Sequence, residues 1–221
     1  MRVTARVAGV FFAVMLSGCS HESGVPPTPT YDETTGALRS VAYDANHSGR
    51  NNAVMYMSGK RPVRVEMDLD GNGQVERWEF YAPDGTRTKV GLSQRNDGVM
   101  DTEAHYTDAT TLESLRISTK RDGRFDRNEY FDHNVLVRSD DDTNGDGRPD
   151  KWDTYQVLPG AAAGTSSIVS TAIDETGRGT PTRRLVFGPD GAVVRVEIDP
   201  DGDGVFTPVK AAAERGRGPA R

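Results

Sequence analysis

The sequence predicts an all-β protein: a repeated antiparallel β-hairpin meander, forming a curved, spiral or barrel-like sheet, with acidic, glycine-rich loops between strands. Three observations support this fold class. Glycines recur at a nearly constant period, aromatic residues recur at the same period, and apolar residues alternate with polar ones between them. Alternation at every second position indicates strands that bury one face.

The repeat unit is about 25 residues long. Successive glycines are separated by 24, 25, 25, 24, 32 and 25 residues, and the aromatics follow at 25, 25, 25, 24 and 32. The two markers are Gly49, Gly73, Gly98, Gly123, Gly147, Gly179 and Gly204, and Tyr56, Tyr81, Tyr106, Phe131, Tyr155 and Phe187. The long interval contains the Gly/Ala stretch 160–164, which indicates an insertion. Six hairpins, or roughly twelve strands, are therefore expected over residues 38–209.

The second unit shows the parts of the repeat in order. An acidic loop over 68–73 precedes a strand over 74–81, a turn at 83–85 and a closing strand over 86–92. The Asp-Gly pair of the turn supplies the positive φ that a hairpin needs. A helix over 74–81 is excluded, because eight residues between glycine-rich loops are too few for a stable helix. The units resemble the YD- and MORN-type strand repeats of bacterial proteins, which implies successive hairpins over residues 40–209.

Residues 1–18 have the pattern of a secretory signal peptide. Arg2 and Arg6 precede an apolar run over 7–16. This run is too short to span a membrane, which takes about 20 apolar residues. No second long apolar run follows, so no membrane span is expected.

The stretch Leu16-Ser17-Gly18-Cys19 resembles the lipobox of bacterial lipoproteins. This resemblance implies cleavage before Cys19 and the attachment of three acyl chains to it, which together form a stable membrane anchor. Ser20 stands where the retention signal of the inner membrane has Asp, which implies the outer membrane, on either its periplasmic or its surface face. The alternative is an ordinary secretory signal with a chance cysteine.

Both ends of the mature chain have the composition of unstructured segments. Residues 19–37 are rich in Pro, Ser, Thr and Gly and are expected to form a flexible tether. Residues 210–221 are basic and rich in Gly and Ala, and are expected to be a disordered tail with at most a marginal helix over 211–214.

Composition excludes several classes of function. The formal net charge is −6, whereas a nucleic-acid protein needs a basic surface. A single Cys excludes a disulfide framework and a cysteine-rich zinc site. No nucleophile elbow, zinc-protease motif or phosphate-binding loop occurs in a supporting context, so no enzyme is expected.

The loop over 68–79 carries the strongest motif. Its alternating carboxylate and amide side chains converge on one point, as the oxygen ligands of a hard cation must, and they resemble an EF-hand calcium loop. The resemblance implies Ca²⁺ ligands at positions 1, 3, 5, 7, 9 and 12: Asp68, Asp70, Asn72, Gln74 (through its carbonyl), Glu76 and Glu79.

Two other loops repeat the motif less completely. The loop over 142–153 offers Asp142, Asn144, Asp146, Arg148 (through its carbonyl), Asp150 and Asp153. Its last residue is one methylene shorter than the usual Glu. The loop over 199–204 offers Asp199, Asp201 and Asp203 but has Thr207 and Lys210 at positions 9 and 12. One to three Ca²⁺ ions are therefore expected.

The remaining loops of this kind are poorer. The loop over 44–49 has Met55 at position 12, and the loops before Gly98 and Gly123 have Ser93 and Ser118 at position 1. The last two are expected to be metal-free turns, with Arg95 and Lys120 at position 3 as candidate replacements for the charge of a cation.

The flanks of the loops depart from the EF-hand pattern, because both read as strands and not as helices. The better likeness is therefore to the Asp-rich loops of dockerins and thrombospondin type 3 repeats. This implies extracellular affinities, on the order of 10⁻⁴–10⁻³ M. The alternative is that Asp, Asn and Gly serve only as turn residues and bind no ion.

Trp78 and Trp152 occupy equivalent positions of two units. They are expected either to pack one face of the sheet or to form a binding face for a glycan or small molecule.

Three hypotheses about function follow. The first is a lipid-anchored, calcium-stabilised interaction or structural module with an unidentified protein or glycan partner. The second is a surface protein that binds glycans or small molecules through these tryptophans, and the third is a hydrolase. Exposure of both tryptophans on one concave face favours the second, and their burial favours the first. The third requires a pocket containing a perturbed carboxylate outside the loops.

Overall fold

The computed structural model describes residues 25–209, which form 15 β-strands and no helix. Among these residues, therefore, no helix has the length and apolarity to cross a membrane. In chain order the strands are β1 Thr28–Tyr31, β2 Leu38–Tyr43, β3 Ala53–Ser58, β4 Arg61–Met67, β5 Arg77–Tyr81, β6 Arg87–Leu92, β7 Thr102–Tyr106, β8 Leu112–Ile117, β9 Arg127–Asp132, β10 Val135–Asp141, β11 Lys151–Gln156, β12 Ser167–Ile173, β13 Arg183–Phe187, β14 Val193–Ile198 and β15 Thr207–Pro208.

All 15 strands belong to one antiparallel sheet, and their order in the sheet is their order in the chain. Within the described part of the chain, each strand contacts only the strands before and after it. The sheet is therefore a single layer, with no second layer on either face. The predicted hairpin meander is confirmed, and it is not closed into a barrel, because β1 and β15 each have one neighbour.

Consecutive connections alternate between the two ends of the strands. The acidic segments connect β2 to β3, β4 to β5 and every second pair thereafter, so all seven lie at one end, here called the loop end. They cover residues 44–52, 68–76, 93–101, 118–126, 142–150, 174–182 and 199–206. The hairpin turns lie at the opposite end, together with the inserted stretch, which lengthens the connection between β11 and β12.

The structure corrects the boundary of the predicted tether. Residues 28–31 form β1, which pairs with β2. Thr and Tyr favour strands, and Pro29 is tolerated because β1 is an edge strand. With this strand and the short β15, the sheet has more strands than the roughly twelve expected from its hairpin repeats.

The periodic aromatics mark β-bulges. In the hairpins the register shifts immediately before Tyr81, Tyr106, Tyr155 and Phe187. A bulge bends the strand and increases its twist. In the first unit the equivalent residue is Met57, because the shift falls between Tyr56 and Met57. The bulge of the first unit thus follows its periodic aromatic, Tyr56, by one residue.

The two faces of the sheet differ in character. The core face is defined by the cross-strand row Val65, Glu79, Val90, Ala104 and Leu115, all of them buried. The opposite face, here called the tryptophan face, is defined by the row Trp78, Gly91, Glu103, Arg116, Asn128, Asp140 and Trp152. Because the sheet is a single layer, residues of both rows are buried only by their neighbours within it.

Candidate metal centre

The seven loops lie side by side at the loop end, and hydrogen bonds connect neighbouring loops. The Asn46 Nδ2 donates to the carbonyl of Leu69 at 2.9 Å. The Asn72 Nδ2 donates to the carbonyl of Asn96 at 2.8 Å, and the Asn96 Nδ2 donates to Asp70 Oδ2 at 2.9 Å. The loop over 68–76 is thus attached to the loop on each side of it.

The first aspartate of five loops closes the loop on itself. In the loop over 68–76, the two oxygens of Asp68 accept the N–H groups of Gly71 and Gly73, at 2.7 and 2.9 Å. Four other aspartates accept backbone N–H groups from their own loops in the same way: Asp44, Asp142, Asp174 and Asp199. This aspartate therefore has a structural role whether or not an ion is bound.

Glycine is favoured at the fourth and sixth positions of these loops for conformational reasons. Gly71 and Gly73 have φ of 77° and 87°. This left-handed region is costly for residues with a Cβ. The two glycines turn their N–H groups inward to Asp68, which explains why the pattern Asp-x-x-Gly-x-Gly recurs.

The ninth residue of each complete loop forms a second closure. Glu76 Oε2 accepts the N–H of Leu69 at 2.5 Å, and Asp150 Oδ1 accepts the N–H of Thr143 at 3.0 Å. Equivalent bonds to the second residue of the loop are made by Asn52, Asp101, Asp126 and Thr182. Sequence reasoning assigned Glu76 and Asp150 only as metal ligands and missed this recurring hydrogen bond from the second residue to the ninth. The sequence does contain a signal for it, since residues 52, 76, 101, 126 and 150 follow the period of the repeat.

Acidic side chains converge at two places within residues 25–209. The first group is Asp68, Asp70 and Glu76, and each offers a carboxylate oxygen within 4.8 Å of the others. These are the predicted ligands at positions 1, 3 and 9 of the best loop. The arrangement could hold a metal ion.

Glu76 distinguishes this group from the other loops of residues 25–209, because none of them has a buried carboxylate oxygen without a hydrogen-bond partner. Its side chain is buried, with 7% relative exposure, and its Oε1 has no hydrogen-bond partner among the described residues. Burial, together with the negative charges of Asp70 and Asp68, raises the pKa of Glu76 above its usual value. A buried carboxylate oxygen without a partner is energetically costly, and a cation beside it would remove that cost.

Two other residues predicted for this site, Asn72 and Glu79, have other partners. The Asn72 Oδ1 accepts the N–H of Gln74 at 2.7 Å, and the Nδ2 of Asn72 turns to the next loop. Glu79 lies on β5, where its carboxylate accepts hydrogen bonds from Arg77 and Tyr81. The structure thus corrects the expected role of Glu79. The chain leaves the loop as a strand and not as a helix, so position 12 points to the core face and not back to the loop.

The carboxylates of the second predicted site do not converge in the described structure. The oxygens of Asp142 are occupied by backbone N–H groups, Asp146 accepts the N–H of Arg148 at 2.8 Å, and Asp150 accepts the Thr143 hydroxyl at 2.7 Å. Asn144 donates an N–H to Asp150. Asp153, expected at position 12, lies on β11 and pairs with Lys151 at 2.6 Å.

The third loop supplies the second converging group, Asp199, Asp201 and Asp203. Asp199 is almost fully buried, with 1% exposure. Although burial opposes its ionisation, the N–H groups of Gly204 and Gly202 hold the pKa of Asp199 below its ordinary value. The charge of Asp199 is therefore stabilised by the loop itself.

One related loop was missed by sequence reasoning. In the loop over 174–182, Asp174 accepts hydrogen bonds from Thr176, Gly177 and Gly179. Burial opposes ionisation here too, but these hydrogen bonds lower the pKa of Asp174 to about 2. The spacing from Asp174 to Gly179 gave a signal, but Thr176 and Arg178 at positions 3 and 5 obscured it.

Trp78 and Trp152 lie in the same cross-strand row of the tryptophan face, and both are half-buried. Trp78 lies opposite Glu66 and Gly91. Their placement on one face is compatible with either packing or binding. The lipidation site Cys19 and the tail over 210–221 lie outside the described residues.

No protein-family model matches this chain, and no curated protein is significantly similar to it. The fold and the loops define a class all the same: an open, single-layer antiparallel β-meander with stacked acidic loops at one end.

Proposed function

We propose that this protein is a lipid-anchored cell-envelope module whose β-repeats form an interaction or structural surface, stabilised by Ca²⁺ at the loop end. The observation that carries the proposal is the buried, unpartnered Oε1 of Glu76 beside Asp68 and Asp70. Ca²⁺ prefers carboxylate oxygens in flexible geometry, and it offsets the mutual repulsion of three such groups. No catalytic role is proposed for these carboxylates.

Stabilisation by an ion fits the architecture. A single-layer sheet has no second layer to hold its strands, and the loop over 68–76 is already hydrogen-bonded to the loops on both sides. An ion at this loop would fix the spacing of the strands that leave it. With Ca²⁺ at 10 to 100 times its dissociation constant, the gain is about 1.4–2.7 kcal/mol.

The experiment is a calorimetric Ca²⁺ titration of the purified protein and of two variants. Glu76→Gln keeps the size of the side chain but removes one of the three negative charges of the cluster. Asp150→Asn is the matched control, because Asp150 holds the same ninth position in a loop whose carboxylates do not converge. We expect Ca²⁺ binding to the unmodified protein and to Asp150→Asn, and its loss at this loop in Glu76→Gln.

Absence of binding to the unmodified protein would overturn the calcium assignment. Equal Ca²⁺ binding by Glu76→Gln and the unmodified protein would show that the ion binds outside this loop. Melting curves with Ca²⁺ and with a chelator provide a second readout, and the unmodified protein should be the more stable with Ca²⁺. For the group at Asp199, Asp201 and Asp203 we propose weaker binding, because Asp199 is already stabilised by backbone N–H groups.

The membrane anchor is tested separately. Cys19→Ser removes the sulfur that the lipobox-like stretch 16–19 would present for acylation. We expect this variant to appear in the soluble fraction of cells while the unmodified protein sediments with outer membranes. Retention of the variant in membranes would contradict the lipoprotein assignment and leave the calcium assignment unaffected.

A second candidate function is the binding of a glycan or small molecule on the tryptophan face. The observation that favours it is that Trp78 and Trp152 share one cross-strand row and keep part of their surfaces exposed. Aromatic rings that stand beside hydroxyl and charged groups can stack on apolar faces of a ligand.

A further inference from the structure

The tryptophan face carries an open hollow near its C-terminal end, between β11 and β14. The hollow has a volume of about 560 Å³, within the range of small-molecule sites. Its polar lining comes from Thr154, Gln156, Ser170, Arg184 and Arg195, and apolar surface from Val186 and Phe187 lies beside these groups.

Two arginines of the hollow share one buried carboxylate. Glu197 has 5% exposure and accepts hydrogen bonds from Arg184 Nε and Arg195 Nε, both at 2.6 Å. The arginine side chains keep 37% and 52% of their surfaces exposed. Two positive charges therefore face the hollow against one negative charge, which leaves a local excess of +1 in a protein whose net charge is −6.

A second hollow on the same face provides a comparison. It measures about 350 Å³ and lies over β7–β9. There Arg116 pairs with the buried Glu103, which also accepts hydrogen bonds from Lys89 and His105. A second carboxylate, that of Glu113, lines the hollow as well. The charges of this hollow are balanced, whereas those of the first are not.

We propose that the hollow between β11 and β14 binds an acidic saccharide, a sugar ring that bears a carboxylate. The guanidinium groups of Arg184 and Arg195 would pair with that carboxylate, since the planar guanidinium matches carboxylate geometry. The hydroxyls of Thr154 and Ser170 and the amide of Gln156 would bond the sugar hydroxyls. The inference rests on the proposed interaction role but not on calcium.

An acidic sugar fits this hollow better than an acidic peptide. Peptides that bind β-sheets gain affinity by pairing with the backbone of an exposed edge. Strands β11, β12 and β13 of this hollow are paired along both sides, and β14 is paired with β13 on one side and with β15 at Glu197 and Ile198 on the other. Recognition within the hollow therefore depends on side chains. Hydroxyl, amide and guanidinium groups around an apolar floor match a ring that carries several hydroxyls and one carboxylate.

The test measures binding of a hyaluronan tetrasaccharide to the purified protein, in the presence of Ca²⁺ and in chelator. Cellotetraose serves as the uncharged sugar and tetraglutamate as the acidic peptide. Arg195→Gln should weaken hyaluronan binding about tenfold, which corresponds to about 1.4 kcal/mol. Arg195→Lys should fall between this variant and the unmodified protein, because it keeps the charge without the planar fork.

Arg116→Gln is the matched control, because Arg116 also shares a buried carboxylate on the same face. We expect its affinity to stay within about twofold of the unmodified protein. Absence of hyaluronan binding, equal binding of cellotetraose or tetraglutamate, or an equal loss in Arg116→Gln would each overturn the inference. Binding that persists in chelator would support it even if the calcium assignment failed.

Discussion

Two loops at the same end of the sheet begin with the same acidic pattern but differ at the ninth position. The loops over 68–73 and 199–204 both have Asp at the first and third positions and Gly at the fourth and sixth. Their first aspartates make equivalent hydrogen bonds to the two glycine N–H groups. The ninth residue is Glu76 in one loop and Thr207 in the other. Only the first loop therefore has a carboxylate at the ninth position.

The second residue of each loop explains this difference. Leu69 has an N–H group, which Glu76 accepts with one oxygen while the other stays unpartnered. Pro200 has no N–H group, so the ninth residue of its loop has nothing to accept. Thr207 instead donates its hydroxyl to the carbonyl of Ile198. The first aspartate of each loop is therefore explained by loop closure, and the stronger cation site is expected where an additional carboxylate oxygen is left without a partner by closure.

The largest expected effect distinguishes the two closing aspartates. Asp199→Ala should destabilise its loop by about 2–3 kcal/mol and Asp68→Ala by about 1–2 kcal/mol in chelator, because Asp199 is buried and Asp68 is only half-buried. With about 10 mM Ca²⁺, the loss in Asp68→Ala should grow, since its ion is lost too. Urea unfolding in both buffers measures these differences. A Ca²⁺-independent Asp68→Ala effect would contradict the difference drawn between the loops.

The second prediction converts one loop into the other. Thr207→Glu introduces a carboxylate at the ninth position. Because Pro200 has no N–H group, neither oxygen of this carboxylate is used to close the loop. We expect it to raise Ca²⁺ affinity at Asp199, Asp201 and Asp203, with an additional stabilisation of about 1.4–2.7 kcal/mol at saturation. Calorimetric titration should show one additional ion at moderate Ca²⁺. Thr207→Gln is the uncharged control, and a gain of the same size in that variant would show that charge is not responsible.

The third prediction uses the loop over 174–182, whose aspartate closes the loop without converging carboxylates. The pKa of Asp174 is about 2 in the folded protein against an ordinary value of 3.8. A folded pKa below the unfolded one means that the contribution to stability is present above about pH 4 and is lost as the pH falls through about 2. Asp174→Asn should therefore destabilise the protein by about 1–2 kcal/mol at pH 7 and progressively less between pH 4 and 2. A pH-independent difference between variant and unmodified protein would contradict this account.

Much of the fold could be predicted because its signals are local. Alternation within the strands, the positive-φ glycines and the recurring period each depend on neighbouring residues. The edge strand β1 was missed because Thr28-Pro29-Thr30 has the composition of a linker, and only pairing with β2 makes it a strand. The single-layer character of the sheet follows from the lack of contacts between non-consecutive strands of residues 25–209, which no local pattern encodes.

The candidate site was predictable only in part, for a related reason. Asp68, Asp70 and Glu76 were identified because EF-hand-like spacing places them in one loop. The exclusion of Glu79 depends on the direction in which the chain leaves the loop, and on the partners that β5 offers it. The closing role of Asp150 depends on a backbone N–H seven residues earlier, which no ligand pattern encodes.

The smallest expected effect concerns the connection between neighbouring loops. Asn96 has φ of 54°, so Asn96→Gly keeps the backbone conformation but removes the hydrogen bond to Asp70. Arg121 holds the equivalent position of the next loop with φ of 55°, which makes Arg121→Gly the matched control. We expect Asn96→Gly to cost about 0.5–1 kcal/mol more than Arg121→Gly.

The same pair of variants tests whether the neighbouring loop supports the metal site. Asn96 Nδ2 holds Asp70 Oδ2, one of the three converging carboxylates. Without this bond Asp70 has more rotamer freedom to lose on binding an ion, so Ca²⁺ affinity should fall about two- to threefold in Asn96→Gly and stay unchanged in Arg121→Gly. Calorimetric titration of both variants measures this difference. Equal affinities would show that the loop over 68–76 organises its carboxylates without help from its neighbour.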